Sequence, residues 1–323
     1  MTRVLVTGAT GFIGRALCPA LVQAGLPVVV ATRNPSITSH LTGVDVRAIT
    51  GLGPRVDWRA VLRDVGAVVH LAARTPVLDE AEDAETVAAY RRINVDGSRK
   101  LAEDAARAGV RRFVFVSTAK VHGDHSPPGA AMSEQSPVNP ASAYARSKAD
   151  AESALAEVAA AHAMELVVVR PPLVYGPGVG GNMLALLKLA ARARVLPFGA
   201  IRNARSLIYV GNLADAIRCA LQAQDAAGRV YLVRDGEDLS TPALLRLVGE
   251  AMGRRPLMPF IPTAALKLAA TMTGRGAAFA KLAGSFQIDD ARIRRELGWT
   301  PPVPVLQGMH ETAAWYTTKA GRS

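Results

Sequence analysis

Short, continuously apolar runs recur through the first half of the chain: VLVT (4–7), VVVA (28–31), VRAI (46–49), AVVHL (67–71), FVFVS (113–117) and LVVVR (166–170). Runs of this length, rich in β-branched residues, read as strands buried on both faces. Amphipathic stretches over 12–24, 83–108 and 142–162 lie between them and read as helices. Strand–helix alternation predicts an α/β fold with a doubly wound parallel sheet. After about residue 178 the rhythm loosens, with Pro, Gly and longer helical stretches. The expected division is a Rossmann-type α/β domain over 1–177, completed by parts of 200–235, and a smaller C-terminal lobe over 178–323.

Composition narrows this picture. At 323 residues, half of them hydrophobic, the chain is long enough for a large core. The two cysteines, Cys18 and Cys219, have no metal-ligand or redox spacing, so no metal is expected. With a strand close to the first residue and no apolar run of ~18 residues, neither a targeting segment nor a stable membrane insertion is expected. A cytoplasmic location follows. The net charge of +11 comes from scattered arginines without interleaved aromatics, so nucleic-acid binding is not expected. Residues 263–284 are apolar with spaced cations, as in an interfacial membrane helix. Lys267, Arg275 and Lys281 interrupt them and Gly274 and Gly276 break the helix, so helices covering the substrate site are the favoured expectation.

The unusual residues cluster after strand ends, where open α/β sheets take ligands. TGATGFIG (7–14) places Gly8, Gly11 and Gly14 between a strand and a helix, a turn suited to a pyrophosphate at the helix N-terminus. YARSK puts Tyr144 and Lys148 four apart on one helix face. A phenol, with a reference pKa of ~10, would be lowered by a neighbouring ammonium and could then exchange a proton with a carbonyl or alcohol oxygen. Ser117 and Thr118, ending the preceding strand, offer hydroxyls to the same oxygen.

Taken in order, TGATGFIG, VVHLAA (68–73), a helix carrying Asn94, VSTAKVHG (116–123), YARSK and RPPLVYGPG resemble the extended short-chain dehydrogenase/reductase superfamily. The resemblance implies catalytic roles for Thr118, Tyr144 and Lys148. It implies a cofactor path along Gly8, Gly11, Phe12, Ile13 and Gly14. Leu71, Ala72, Ala73, Asn94, Ser117 and Pro171 continue that path. Within the superfamily the chain looks most like bacterial nucleotide-sugar 4-epimerases and 4-keto-sugar reductases. By that likeness Asn182 and Arg205, with Arg292 as a weaker third, would hold the diphosphate of a UDP- or dTDP-sugar. It also implies a homodimer through the Ala-rich helix near 149–163 and the one near 83–108. His122 receives no role.

At the end of the second strand, where a carboxylate usually meets the ribose of NAD, the chain has Thr32 followed by Arg33. Neutral then cationic favours the 2′-phosphate of NADP, with Arg15 as a second cation. The expected activity is NADP-dependent reduction of a nucleotide-linked 4-keto sugar. The alternatives are a UDP-hexose 4-epimerase with tightly bound NAD, a reductase of a non-sugar ketone, and an NADP-binding redox regulator without catalysis. The intact Tyr144–Lys148 pair counts against the last.

Overall fold

The computed structural model describes residues 2–38, 41–76, 80–127 and 129–320. The chain begins with β1 (Arg3–Thr7), α1 (Phe12–Gln23), β2 (Val28–Thr32), β3 (Val44–Ala48) and β4 (Val65–His70). Next come α2 (Ala84–Tyr90), α3 (Gly97–Arg107), β5 (Arg112–Val116), α4 (Ala143–His162), β6 (Glu165–Arg170) and β7 (Leu173–Tyr175). The second half holds α5 (Gly181–Arg192), β8 (Arg205–Tyr209), α6 (Val210–Gln222), β9 (Val230–Leu232), β10 (Asp238–Leu239) and α7 (Thr241–Ala251). It ends with α8 (Thr263–Met272), α9 (Gly276–Ala283), α10 (Ala291–Leu297) and α11 (Val305–Ala320).

Seven strands form one sheet in the order β3-β2-β1-β4-β5-β6-β9, and every neighbouring pair is parallel. This is the doubly wound Rossmann-type arrangement, reversing direction between β1 and β4. The expected apolar runs fall in six of these strands. VRAI lies in the edge strand β3, whose residues are only partly buried. One face of the sheet packs on α1 and α6 through Leu17, Leu21, Leu213 and Ile217. The other packs on α3 and α4 through Leu101, Ala105, Leu155 and Val158. A separate apolar cluster joins β7 and β8 to α5, α7 and α11, and β10 completes a three-stranded sheet with β8 and β7.

The helix expected over 83–108 is not continuous. Asp83 caps α2 by accepting from Thr86 N, and between α2 and α3 the chain widens into a π-helical segment, Arg91–Asp96. Such segments aim side chains that a regular helix would place elsewhere. Here the turn buries Asn94 to 1% exposure.

One buried cation ties the sheet to a helix end. Arg112 donates from Nε to Glu165 Oε2 (2.8 Å), and from Nη1 to the carbonyls of Ala220 (3.2 Å), Leu221 (2.9 Å) and Ala223 (2.5 Å). It thereby caps α6 and clamps β5 to β6. Arg112→Ala leaves those carbonyls and Glu165 without their donor. The expected loss is about 3 kcal/mol, read as a lower urea midpoint at unchanged slope. A loss under about 1 kcal/mol would contradict this role.

Candidate active site

The C-terminal ends of β1, β4 and β5 and the first turns of α4 come together at one edge of the large sheet. The chain leaves β1 through Gly8, whose φ is +73°. A Cβ there would lie 2.8 Å from Ala72 N, so the loops after β1 and β4 can abut only because position 8 carries no side chain. Gly14 is crowded from within the turn: its Cβ would fall 2.4 Å from Ala9 Cα. The N-terminus of α1 carries no side-chain cap and no acidic residue in its first turn, so its N–H groups remain open to an anion.

Behind this loop runs a chain of hydrogen bonds that sequence reasoning missed. Ala72 N donates to Thr7 Oγ1 (3.3 Å), and Thr7 Oγ1 donates to His70 Nδ1 (2.6 Å). His70 Nε2 donates to Ser98 Oγ (2.8 Å), which donates to Asn94 O (2.6 Å). The directions are forced. Ser98 gives its one proton to a carbonyl, so the imidazole proton sits on Nε2 and Nδ1 accepts. Burial holds His70 down to about 3, with the nearby Lys148 charge adding to the effect, so the ring is neutral. Asn94 extends the chain: Oδ1 accepts from Arg74 N (2.8 Å), and Nδ2 donates to Arg74 O (3.1 Å) and Ser147 Oγ (2.9 Å). Ser147 Oγ then donates to Tyr144 O (2.8 Å). The glycine turn, the π-helical segment and the turn carrying Tyr144 are thus held in one register. VVHLAA contains His70, but its partners are 28 and 63 residues away, and no local pattern marks them.

The start of α4 is itself pinned. Ser142 accepts from Ala145 N (3.2 Å) and Glu82 Oε1 accepts from Ala143 N (2.9 Å). One turn apart on this helix stand Tyr144 and Lys148. Lys148 is 2% exposed, and its Nζ lies 4.0 Å from the centre of the Phe115 ring. Nζ has no hydrogen bond or ion pair among the described residues. Burial pulls this ammonium down to about 7, with Glu152 opposing. Tyr144 packs edge-on against Tyr90 at 6.1 Å, and burial pushes its phenol up to about 12. The expected lowering of Tyr144 by Lys148 is therefore reversed in the ligand-free chain. Desolvation disfavours both charged forms, and an ammonium that is itself half discharged near neutrality cannot offset it.

Ser117 Oγ is buried and has no hydrogen-bond partner among the described residues, whereas Thr118 Oγ1 accepts from Lys120 N (3.3 Å) and caps the short turn Ala119–His122. Ala119 N donates to Pro171 O (2.8 Å), which sets this turn against the end of β6. His122, given no role from sequence, accepts from Arg170 Nη1 (3.0 Å) and donates from Nδ1 to Pro137 O (3.1 Å), while Arg170 also pairs with Glu152. Phe12 and Ile13 open α1, and Leu71, Ala72 and Ala73 follow β4 beside Gly8. Thr32 is buried and its hydroxyl is engaged with Asn34 N and O (3.2 Å each). Arg33 is exposed and forms no ion pair among the described residues, and Arg15 turns back to Thr10 O (3.0 Å).

The expected diphosphate ligands stand on three separate elements. Asn182 is exposed in the first turn of α5. Arg205 Nη1 donates to Lys281 O (2.6 Å) and Gly284 O (3.1 Å), at the end of α9. Arg292 faces Glu134 and Glu296, both at 3.9 Å. Among the described residues none of the three shares a hydrogen bond with Ser117, Tyr144 or Lys148.

A dinucleotide fits the sheet edge on three counts. The N-terminus of α1 has no side-chain cap and no acid in its first turn, Ser117 holds a hydroxyl unmatched among the described residues, and Lys148 is a buried cation with no acceptor among them. Lys148 also gives the ligand-free protein a pH signature. Its ordinary value of 10.5 falls to about 7 on folding, so between those values the unfolded chain holds a proton that the folded chain has shed. More protons on the unfolded state means stability rising with pH across that window. Urea midpoints from pH 7 to 10 are expected to rise in the ligand-free protein and to lose that slope in Lys148→Met. An equal slope in both would contradict the burial of the charge.

Residues 4–233 match the family model described as NAD dependent epimerase/dehydratase family. The chain is 34% identical over 314 residues to a UDP-glucose 4-epimerase of Vibrio cholerae, covering 96% of this chain and 94% of that protein. It is 31% identical to a dTDP-glucose 4,6-dehydratase of Streptomyces griseus, covering 98% and 94%. Among solved structures, a UDP-glucuronic acid 4-epimerase of Bacillus cereus in complex with NAD superposes with a TM-score of 0.78 at 20% identity, covering 98% of this chain and 99% of that one. A UDP-glucose 4-epimerase of Thermotoga maritima with UDP-glucose gives 0.77 at 22%, covering 99% and 100%. With its glycine turn, its Tyr144–Lys148 helix and these matches along nearly all its length, the chain belongs to the NAD-dependent epimerase/dehydratase family of extended short-chain dehydrogenase/reductase enzymes.

Proposed function

We propose that this enzyme is a 4-epimerase of a nucleotide-linked hexose, working with an NAD that it retains through the cycle. The observation that carries the reading is a half-buried Tyr144 one helical turn from the fully buried Lys148, at the sheet edge that holds the unmatched Ser117 hydroxyl. The likeness to the Vibrio cholerae epimerase across nearly both chains supports it. So does NAD, named with the Bacillus cereus epimerase structure.

In this reading residues 1–177, with α6 and β9, hold the dinucleotide. Gly8, Gly11, Phe12, Ile13 and Gly14 would hold the pyrophosphate, Leu71, Ala72 and Ala73 would flank the cofactor with Asn94 and Pro171, and Lys148 would hold the nicotinamide ribose. NAD, when bound, supplies a hydride acceptor and a positive charge. Tyr144, deprotonated, would take the proton from the C4 hydroxyl as hydride leaves C4, and would later return that proton to the C4 oxygen as the hydride comes back, with Ser117 and Thr118 orienting that oxygen. In the ligand-free chain Tyr144 is a neutral phenol, so a bound positive charge is what would bring its proton within reach at neutral pH. The lobe over 178–323 holds the nucleotide diphosphate. Arg205 uses only Nη1 on carbonyls, which leaves Nε and Nη2 for phosphate, and Asn182 in the first turn of α5 is the second proposed ligand. Arg292, facing two glutamates, contributes less. A homodimer through α3 and α4 belongs to the same proposal, resting on exposed Ala156 and Ala160 along α4.

One observation favours a second reading, NADPH-dependent reduction of a nucleotide-linked 4-keto sugar: β2 ends in Thr32 and an exposed Arg33 instead of a carboxylate.

The test is to incubate the purified protein with UDP-glucose, UDP-galactose and their N-acetyl forms without added nucleotide. Interconversion at C4 is expected, and Tyr144→Phe is expected to lower turnover by about 10²–10⁴. Absence of any epimer, together with NADPH consumption on a UDP-4-keto-6-deoxyhexose, would replace this reading with the second.

A further inference from the structure

The cations are scattered along the whole chain, but two parts of it hold no acid to offset them, and the net charge of +11 equals their excess. Stretches 166–214 and 251–288 contain 11 Lys and Arg and no Asp or Glu, so the remaining sequence is balanced. Arg170 is buried and Arg205 half-buried; the other nine are exposed, and none of them forms an ion pair among the described residues. The two stretches fold onto each other. Leu257 N donates to Arg194 O (2.9 Å), Leu196 N donates to Leu257 O (2.8 Å), and Arg205 reaches Lys281 O (2.6 Å).

The same region leaves its apolar side in water. Five of the eight exposed large hydrophobic residues among those described lie here: Val195 (53%), Leu257 (68%), Phe260 (71%), Leu268 (63%) and Met272 (80%). Helix α8 shows this most plainly, because none of its residues is buried. Leu266 and Ala270 are half-buried, while Ala264, Leu268 and Met272, spaced by four, are exposed along the other side. Lys267 flanks that stripe, and Arg275 begins the turn into α9. The helices expected to cover the substrate site thus present an apolar stripe to solvent. A soluble surface normally avoids such a patch.

We propose that the α8–α9 hairpin and the adjoining 194–202 and 254–262 segments dock this enzyme on an anionic lipid bilayer. The inference stands apart from the substrate reading and does not rest on it. A bilayer surface meets both features at once: Leu268, Met272 and Phe260 enter the headgroup boundary, and the unpaired Arg and Lys meet anionic headgroups. A nucleic acid would neutralise the cations but leave the stripe in water. A second copy of this chain would bring cation against cation. No helix of the described residues is long and apolar enough to cross a membrane, so the attachment is peripheral.

The test is co-sedimentation of the full chain with phosphatidylcholine vesicles, with and without phosphatidylglycerol. Binding to the anionic vesicles alone, weakened by salt, is expected. The combined variant Phe260→Ser, Leu268→Ser, Met272→Ser is expected to need at least about tenfold more lipid for half-binding, at an unchanged Tm. A second variant, Lys267→Glu with Arg275→Glu, is expected to lose binding comparably. Equal binding to neutral vesicles, binding unchanged in both variants, or no binding would overturn the proposal. So would sedimentation showing an oligomer that the serine variant converts to monomer, since the stripe would then be an interface between copies.

Discussion

An ammonium buried at the end of β5 with an aromatic ring as its neighbour is the constraint on which the rest of the site depends. Lys148 lies over Phe115 and beside the neutral His70, in surroundings dry enough to pull its proton off near pH 7. A cation in that position needs an acceptor that the chain does not supply. The Ser117 hydroxyl on the adjoining strand end is likewise buried without a hydrogen-bond partner among the described residues. A bound group that met both positions would raise stability, as the proposed cofactor site requires.

The scaffold keeps that environment fixed through small, fully matched bonds. His70 connects the glycine turn to the π-helical segment, and Asn94 connects that segment to Ser147 and Tyr144. Each member has one orientation available, since every donor in the series has one acceptor. The phenol and the ammonium therefore arrive one helical turn apart on a helix whose start is capped by Ser142 and Glu82. A site preorganised in this way can run the same proton transfer in either direction, which a reversible oxidation requires.

Much of this was legible in sequence, because the relevant spacing is local. Glycines at 8, 11 and 14, the four-residue interval from Tyr144 to Lys148, and the buried strand runs each follow from neighbours within one turn or strand. The His70 relay was not legible, since its bonds join residues tens of positions apart. The direction of the Tyr144 shift was misjudged because desolvation depends on burial, which spacing does not report. For 263–284 the apolar pattern was visible but not which side would face inward; helix α8 turns its Leu268–Met272 side out.

The account's central claim is that a hydrogen taken from C4 is handed back to C4 within one site. A nucleotide hexose deuterated at C4 tests it. Mass spectrometry and NMR of the epimeric product are expected to show deuterium retained at C4, with none passing to solvent or to added NAD. Label appearing in free nucleotide, or a product formed with hydrogen at C4, would contradict the claim and mark the enzyme as a one-way oxidoreductase.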